Sequence, residues 1–427
     1  MLRARPSADA GQVSAATASS SAESGETRAP VAAGAVLLLC AIVAAVDLGG
    51  PIFYPGLGQI ATEFGITPAQ AQMTVTVNII GAAVSQPFLG PAADWLGRRR
   101  VLIISLLALA SLSLLMLTIT DFSVLIAVRA LQGFLGSAGI VLARAIAHDM
   151  FPDQRQFTRV VSYLVVTTGA CSLAGPLIAG ALVSEYGWRA PIAMLGVFGA
   201  IVTLATFVWF RRNQTSGGMG GVEASTWPGW KALGALLRHP AFYGNTALLS
   251  FSMASLFTLF GLSPLMLAGG SGEAPMQVGV LVSLLSLGFM AGALAAGFRP
   301  ATTGIVRIAS AGIAVGFAII AGSMMASGAS LATIVPGGIL VALASGYLNP
   351  VSLAGALQAN PRLAGTASGW SSAFSLLVAG IGTQLATTIY GVNASWLVVI
   401  GAVYALFCWL SIKPAMKGSE QTSTASA

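Results

Sequence analysis

Residues 90–120 read GPAADWLGRRRVLIISLLALASLSLLMLTIT, in which three arginines precede 20 uncharged, mostly apolar residues. An apolar run of about 20 residues is the length that crosses a bilayer as a helix. The rest of the chain follows the same pattern, since 56% of its 427 residues are hydrophobic and 8% are charged. A soluble domain carries about 25% charged residues. The composition therefore predicts a polytopic integral membrane protein.

The apolar runs predict twelve membrane-spanning helices in two groups of six. We expect a disordered cytoplasmic tail over 1–30, a first bundle over 31–210, a cytoplasmic linker over 211–239, a second bundle over 240–413 and a cytoplasmic tail over 414–427. This all-α arrangement of two six-helix bundles is typical of internally repeated transporters. The predicted spans are 32–57, 69–93, 101–120, 122–147, 157–184, 188–210, 240–267, 276–298, 303–326, 332–357, 362–389 and 392–413.

The basic residues predict the orientation of these spans. Seventeen of the 20 Lys and Arg residues fall on one side of the twelve-span arrangement, Arg189 alone falls on the other, and Arg129 and Arg144 lie within the fourth span. Because cytoplasmic loops carry the excess of basic residues, both termini are expected in the cytoplasm. The formal charge of +7 is therefore a topology signal, and no nucleic-acid partner is expected.

Two charges lie deep inside predicted spans. Asp47 is the only acid well inside a span, and Arg129 is the one deeply placed base. Intramembrane charges are costly and are functional hypotheses by default. The two depths nearly coincide, so a pair between them, direct or through water, is geometrically possible. Burial favours a protonated carboxyl and a nearby guanidinium favours the ionised form, so we expect Asp47 to exchange protons with Arg129 assisting.

Catalytic and metal-binding patterns are not visible in the sequence. The three cysteines lie singly in apolar runs, and neither a nucleophile with a base nor a phosphate-binding Gly-Lys-Ser/Thr loop is present. Such patterns identify enzymes and ATP-driven pumps, so we expect a non-enzymatic protein without cofactors, with the proton gradient as energy source. Its expected partners are protons, lipid and a small-molecule substrate. We expect a monomer in a bacterial-type cytoplasmic (inner) membrane.

The loop between spans two and three carries a recognisable motif. Gly90, Asp94, Gly97, Arg98 and Arg99 match the spacing of a Gly, an Asp four residues on, and then Gly-Arg-Lys/Arg. This pattern resembles the loop 2–3 signature of the major facilitator superfamily. The resemblance implies a conformational latch, in which the Asp bonds near the start of span eleven and holds the inner side shut.

Two further motifs resemble the drug:proton antiporters of that superfamily. Arg129-Ala-Leu-Gln-Gly133 resembles their fourth-span motif, whose Arg is implicated in proton coupling. Gly175-Pro176-Leu-Ile-Ala-Gly180 resembles their span-five antiporter motif, although Cys171 stands where these proteins often have Gly. Close packing around Gly175 is the alternative interpretation of that motif.

The branch is indicated by the acid Asp47 in span one, by Arg144 and Asp149 at the inner end of span four, and by Gly187-Trp-Arg189 before span six. These features are similar to the Bcr/CflA (bicyclomycin/chloramphenicol resistance) branch. The resemblance implies a proton-coupled exporter of lipophilic neutral or cationic drugs, working by alternating access. An exporter of a sugar, amino acid or siderophore, and a proton-symporting importer, remain alternatives, whereas a non-transporting membrane protein is disfavoured.

The family fold places spans one, two, four, five, seven, eight, ten and eleven around a central cavity. Polar and aromatic side chains on these spans are candidates for substrate contact, and each has core packing as its alternative role. The candidates are Tyr54, Asn78, Gln86, Tyr163, Phe251, Phe257, Tyr347, Asn349, Trp370 and Phe374.

The latch generates the first prediction. Replacing Asp94 with Ala is expected to impair cycling between conformations while substrate binding stays intact, because the side chain is assigned to closing the inner side. Transport by the purified variant in proteoliposomes, with substrate affinity measured separately, checks this expectation. Normal turnover of Asp94→Ala would contradict it.

Overall fold

The fold is helical throughout the described residues. The computed structural model describes residues 28–151, 153–212, 229–267, 274–298, 302–360, 363–390 and 395–424; a few side chains within these ranges, Asp94 among them, lie outside the description. The helices are α1 Arg28–Asp47, α2 Leu57–Phe64, α3 Pro68–Leu96, α4 Arg98–Met116, α5 Phe122–Gly136, α6 Ala138–Met150, α7 Gln154–Tyr186, α8 Arg189–Arg212, α9 Gly229–Leu237, α10 Pro240–Leu267, α11 Ala274–Phe298, α12 Thr303–Ser327, α13 Leu331–Gln358, α14 Ala364–Tyr390 and α15 Trp396–Thr424.

The first span is broken in its middle, as the glycines and prolines after Asp47 predict. Helix α1 ends at Asp47, a turn follows, and a 3₁₀ helix over Pro51–Gly56 leads into α2. Proline lacks a backbone N–H and interrupts the helical ladder. The break therefore places backbone carbonyls without helical partners at the depth of Asp47.

Eleven of the described segments are long and apolar enough to cross a membrane. The expected second span is not among them, although α3 with 29 residues is long enough. Its first half carries polar side chains at Gln70, Gln72, Thr74, Thr76 and Asn78. The fourth span continues through a junction at Ser137 between α5 and α6. The architecture thus agrees with the predicted all-α membrane protein, with eleven to twelve candidate spans among the described residues where twelve were predicted.

Two pairs of long helices join the halves of the molecule. Helix α3 packs against α14, and α7 packs against α11. Side-chain hydrogen bonds that cross this seam among the described residues are Thr76 to Gln384 at 3.0 Å, Gln384 to the carbonyl of Ala69 at 2.8 Å, and Ser283 to the carbonyl of Leu173 at 2.7 Å. The first two lie near the start of α3, at the end of the molecule that the predicted orientation places outside.

Glu63 of α2 forms contacts with the segment before α8 at this same end. Its carboxylate accepts hydrogen bonds from the Trp188 indole at 2.6 Å and the Arg189 guanidinium at 2.7 Å. Arg189 also donates to the carbonyls of Leu117 and Ile119. Gly187 precedes this pair with a backbone φ of 83°, a conformation that only glycine adopts readily. The Gly-Trp-Arg sequence therefore ties the loop before α8 to α2 and to the end of α4.

Beyond the apolar spans, the predicted linker contains helix α9, while residues 213–228 lie outside the described structure. Helix α15 runs through Thr424, which is past the expected end of the last span. The segments predicted as an N-terminal tail are described only from Arg28 onward.

Close approach of α3 and α5 generates a prediction about stability. A Cβ atom at Gly133 would collide with backbone atoms of Asn78, so Gly133→Ala is expected to lower the free energy of unfolding by about 1–3 kcal/mol through overpacking. Gly322, a helical glycine with open space around its Cβ position, is the matched control. Thermal unfolding in detergent should show a lower midpoint for Gly133→Ala than for Gly322→Ala; equal midpoints would contradict the close approach.

Candidate transport site

A cavity of about 170 Å³ lies beside the break in the first span. Most of its lining comes from the first half, and Leu376 on α14 contributes from the second. Its polar lining residues are Asn78, Gln86, Gln132 and Ser137. A mostly apolar enclosure with a few polar groups is the usual character of a small-molecule site.

Arg129 is fully buried next to this cavity. Its Nε donates to the carbonyl of Thr74 at 3.0 Å, and its Nη1 donates to the carbonyl of Gly49 at 3.4 Å. The guanidinium also lies 3.6 Å from the centre of the Phe53 ring, a favourable cation–π geometry. The side chain therefore stabilises the broken part of the first span against α3.

The backbone and neighbours of Arg129 extend this network. Asn78 donates from its amide to the carbonyl of Arg129 at 3.2 Å, while Arg129 Nη1 donates to Gln132 at 2.6 Å. Gln132 donates in turn to Ser113 at 2.8 Å. Arg129 Nη2 is buried without a hydrogen-bond partner among the described residues. Two of the few polar groups of the cavity wall, Asn78 and Gln132, are thus held in place by hydrogen bonds among α3, α4 and α5.

Asp47 occupies a different environment from Arg129. Thr168 on α7 and the charged Arg144 lie close enough to its carboxylate to interact with it. Its Oδ2 is buried and has no hydrogen-bond partner in the described part of the chain. Cys171, one turn beyond Thr168, is a further neighbour.

A direct pair between Asp47 and Arg129, which is one of the two arrangements that their similar depth allows, is not formed among the described residues, since neither side chain has the other among its hydrogen bonds or ion pairs. Helix rise sets the depth of a residue in the membrane but not the direction of its side chain around the helix axis. The guanidinium turns to the carbonyl of Gly49 and the ring of Phe53, which the break exposes. Arg144 lies four residues beyond the cavity-lining Ile140, on the same helix face, and is near enough to Asp47 for the two charges to interact.

The loop 2–3 motif is arranged around Gly97. This glycine has a φ of 87°, a left-handed conformation that only glycine tolerates well, and it lets α4 begin at Arg98. Arg98 forms a two-oxygen ion pair with Asp149 at 2.7 and 2.8 Å. Arg99 lies over the Phe210 ring at 5.0 Å. Gly90 is helical, and the Asp94 side chain and Pro361 lie outside the described residues, so the latch to span eleven stays a prediction.

The Gly-Pro motif of α7 lies against both the first span and the second half. A Cβ at Gly175 would approach Leu48 to 2.8 Å, and one at Gly180 would approach the carbonyl of Pro275 to 2.9 Å. Gly279 on α11 packs against the carbonyl of Pro176. Small residues at these positions allow α7 and α11 to pack backbone to backbone, as small-residue motifs do in membranes. The motif therefore builds the seam between the halves.

The ten candidate substrate contacts divide between cavity and packing. Asn78 and Gln86 line the cavity, and the other eight lie outside its lining. Tyr54 is buried with its ring 5.7 Å from Phe260 of the second half, and Phe251 stacks on Phe407 at 4.5 Å. The remaining candidates are the half-buried Phe257, 6.0 Å from Phe260; the exposed Tyr163; the buried Tyr347; the half-buried Asn349; and Trp370 and Phe374, whose rings lie 5.8 Å apart.

The sequence interpretation missed Phe53, Thr168 and Glu63. Thr168, Cys171 and Gly175 follow the i, i+3, i+7 spacing of one helix face, and Gly175 packs beside Asp47 through Leu48. That spacing was a usable signal for the Thr168 contact. Phe53 and Glu63 have no local signal, because their partners lie far away along the chain.

Two helical halves, a seam between them and a polar cavity at a broken helix define a secondary transporter. Comparison with known families makes this specific, because residues 37–383 match the Major Facilitator Superfamily model. The chain belongs to this superfamily. It is a multi-pass membrane transporter, and its bacterial relatives place it in the inner membrane.

Several curated proteins are similar to this chain, two of them over most of their length. An uncharacterized MFS-type transporter, YdgK of Bacillus subtilis, is 25% identical over 86% of this chain and 92% of its own. Multidrug resistance protein D of Escherichia coli is 25% identical over 90% of this chain and 97% of its own. A bicyclomycin resistance protein homolog of Haemophilus influenzae is 28% identical over 37% of this chain and 40% of its own.

The Arg129 network generates a prediction. Lysine keeps the charge but lacks the planar fork that reaches two carbonyls and Gln132, so Arg129→Lys is expected to lower the free energy of unfolding by about 1–3 kcal/mol. Arg100 is exposed, and Arg100→Lys should change it by less than about 0.5 kcal/mol. Thermal unfolding of the two purified variants compares them; equal stability would show that Arg129 does not hold the break.

Proposed function

We propose that this protein exports lipophilic neutral or cationic small molecules in exchange for protons, and that Asp47 is the group that carries the proton. The observation that supports this most directly is the position of Asp47. It ends α1 at the helix break, and its buried Oδ2 has no described hydrogen-bond partner. Its neighbour Val46 and the following Gly49 and Gly50 line the cavity.

The relatives support the direction and the class of substrate. Proteins named multidrug resistance protein D, bicyclomycin resistance protein homolog and chloramphenicol resistance protein all match this chain. Such names describe protection from drugs, which favours export over import. A cavity whose polar groups are amides and a hydroxyl suits neutral or weakly polar solutes, and an ionised Asp47 nearby would favour a cation.

A cycle follows from these positions. A protonated Asp47 is neutral and tolerates the apolar, outward-closed environment of the structure, because burying a neutral acid costs far less than burying a carboxylate. Entry of a cationic substrate from the inner side stabilises the ionised form, so the proton leaves. Arg144, exposed near Asp47, lowers the free energy of the ionised form without occupying the cavity. Substrate and proton thereby bind in alternation.

The proton role generates a prediction. Asp47→Asn is expected to fold, because asparagine has nearly the same shape as a protonated aspartic acid, but to lose transport driven by a pH gradient, because its amide cannot take up and release a proton. Glu185 is an exposed acid on α7, and Glu185→Gln is the matched control with normal transport. Drug efflux from proteoliposomes with an imposed pH gradient measures both variants. Full gradient-driven efflux by Asp47→Asn would refute the role.

The substrate class is tested by an accumulation screen. Cells expressing the protein should retain less of lipophilic drugs than control cells, and a protonophore should abolish the difference, because it collapses the gradient that drives export. Protonophore-sensitive uptake of one nutrient would replace the proposal with an importer. Export confined to one sugar, amino acid or siderophore would replace it with a metabolite exporter.

A further inference from the structure

Besides Gln384, the outer end of the seam holds a second glutamine, Gln72, whose amide group has no hydrogen-bond partner among the described residues. Gln72 is fully buried, and neither its Nε2 nor its Oε1 has a hydrogen-bond partner in the described structure. Thr383 on α14 is also fully buried with an unpartnered hydroxyl. A Cβ at Gly261 on α10 would lie 2.9 Å from Gln72 Nε2 and would also collide with the Thr383 methyl group. The three residues therefore meet where the halves touch.

The partners of Gln384 show what a satisfied glutamine looks like at the same place. Its amide bonds Ala69 and Thr76, which flank Gln72 at i−3 and i+4 on the same face of α3. Gln384 thus strengthens the contact between the halves, whereas Gln72 brings into that contact an amide that has no hydrogen-bond partner among the described residues. A buried unpaired amide is costly, and the same group in water is not.

We infer that Gln72 and Thr383 weaken the closed outer seam and so favour its opening, acting as positioning residues that set how readily the transporter exposes its cavity to the outside. When the halves separate at this end, water reaches both groups and their hydrogen bonds are made. Closing the seam removes that water. Gln384 acts in the opposite direction, because its two cross-seam bonds exist only when the seam is closed.

The inference predicts opposite effects for two glutamines in one contact. Gln384→Leu should raise the population with an open outer end. Adding Gln72→Leu or the nearly isosteric Thr383→Val to Gln384→Leu should lower the ratio of open to closed molecules about fivefold or more, since each removes an unpaired polar group. If the substitutions only damaged the fold, the ratio of open to closed molecules would change in the same direction in all variants.

The distance between spin labels at Thr62 and Thr388 measures this ratio by electron–electron double resonance. Both positions are exposed at the outer end, on α2 and α14, and the full chain carries alanine in place of its three cysteines. The expected result is a long-distance population in Gln384→Leu that is smaller in the double variant Gln384→Leu/Gln72→Leu. This population is also expected to be smaller in the double variant Gln384→Leu/Thr383→Val. An unchanged or larger open population with both additions, or no open population in Gln384→Leu, would overturn the inference.

The inference rests on the alternating cycle of the proposed transport function, but its readout needs no transported substrate. If the expected distance changes do not occur, that result would therefore count against the roles of Gln72 and Thr383 at the outer seam alone. A failed proton-driven efflux assay with the expected distance changes would count against drug–proton exchange alone. Turnover of Gln72→Leu in proteoliposomes adds a separate readout, expected to be slower than wild type with an unchanged affinity for substrate.

Discussion

The buried guanidinium of Arg129 is the interaction on which the architecture of the first half depends. A membrane interior offers no water to a backbone carbonyl, so a helix that breaks inside it needs a protein donor at the break. Arg129 supplies donors to the carbonyls of Gly49 and Thr74 and covers its face with Phe53. The first span can therefore interrupt its ladder beside the cavity, and the interruption puts Asp47 at the end of α1.

The two charged residues of the first half thus have separate tasks. Arg129 is fully buried and donates to two backbone carbonyls and to Gln132, while its Nη2 has no described partner; these bonds suit a permanent charge that holds helices together. Asp47 lies at the helix break with a buried oxygen that has no hydrogen-bond partner among the described residues, which suits a group that changes its protonation. At the seam, glycines let backbones of the two halves touch. No large side chains therefore have to repack at these contacts in every cycle.

The sequence predicts the membrane class and the span positions well, because about 20 apolar residues are required for each crossing and the prolines after Asp47 mark the break. For the α7 motif the sequence offers close packing only as the alternative to an antiporter role, and the contacts of Gly175 and Gly180 support that packing. It could not give the partners of Arg129, since helix rise specifies depth and not the direction of a side chain around the axis. The Glu63–Arg189 contact and the unsatisfied Gln72 arise from residues more than 100 positions apart, which no local pattern contains.

Proton release on substrate binding tests the central claim most directly, because it observes the exchange at Asp47 without a membrane or a gradient. The purified protein in weakly buffered detergent solution is mixed with a lipophilic cation such as tetraphenylphosphonium, and a pH indicator follows the solution. The account predicts release of protons by wild type and by Glu185→Gln, and none by Asp47→Asn that still binds the cation. Equal release from Asp47→Asn would show that another group carries the proton.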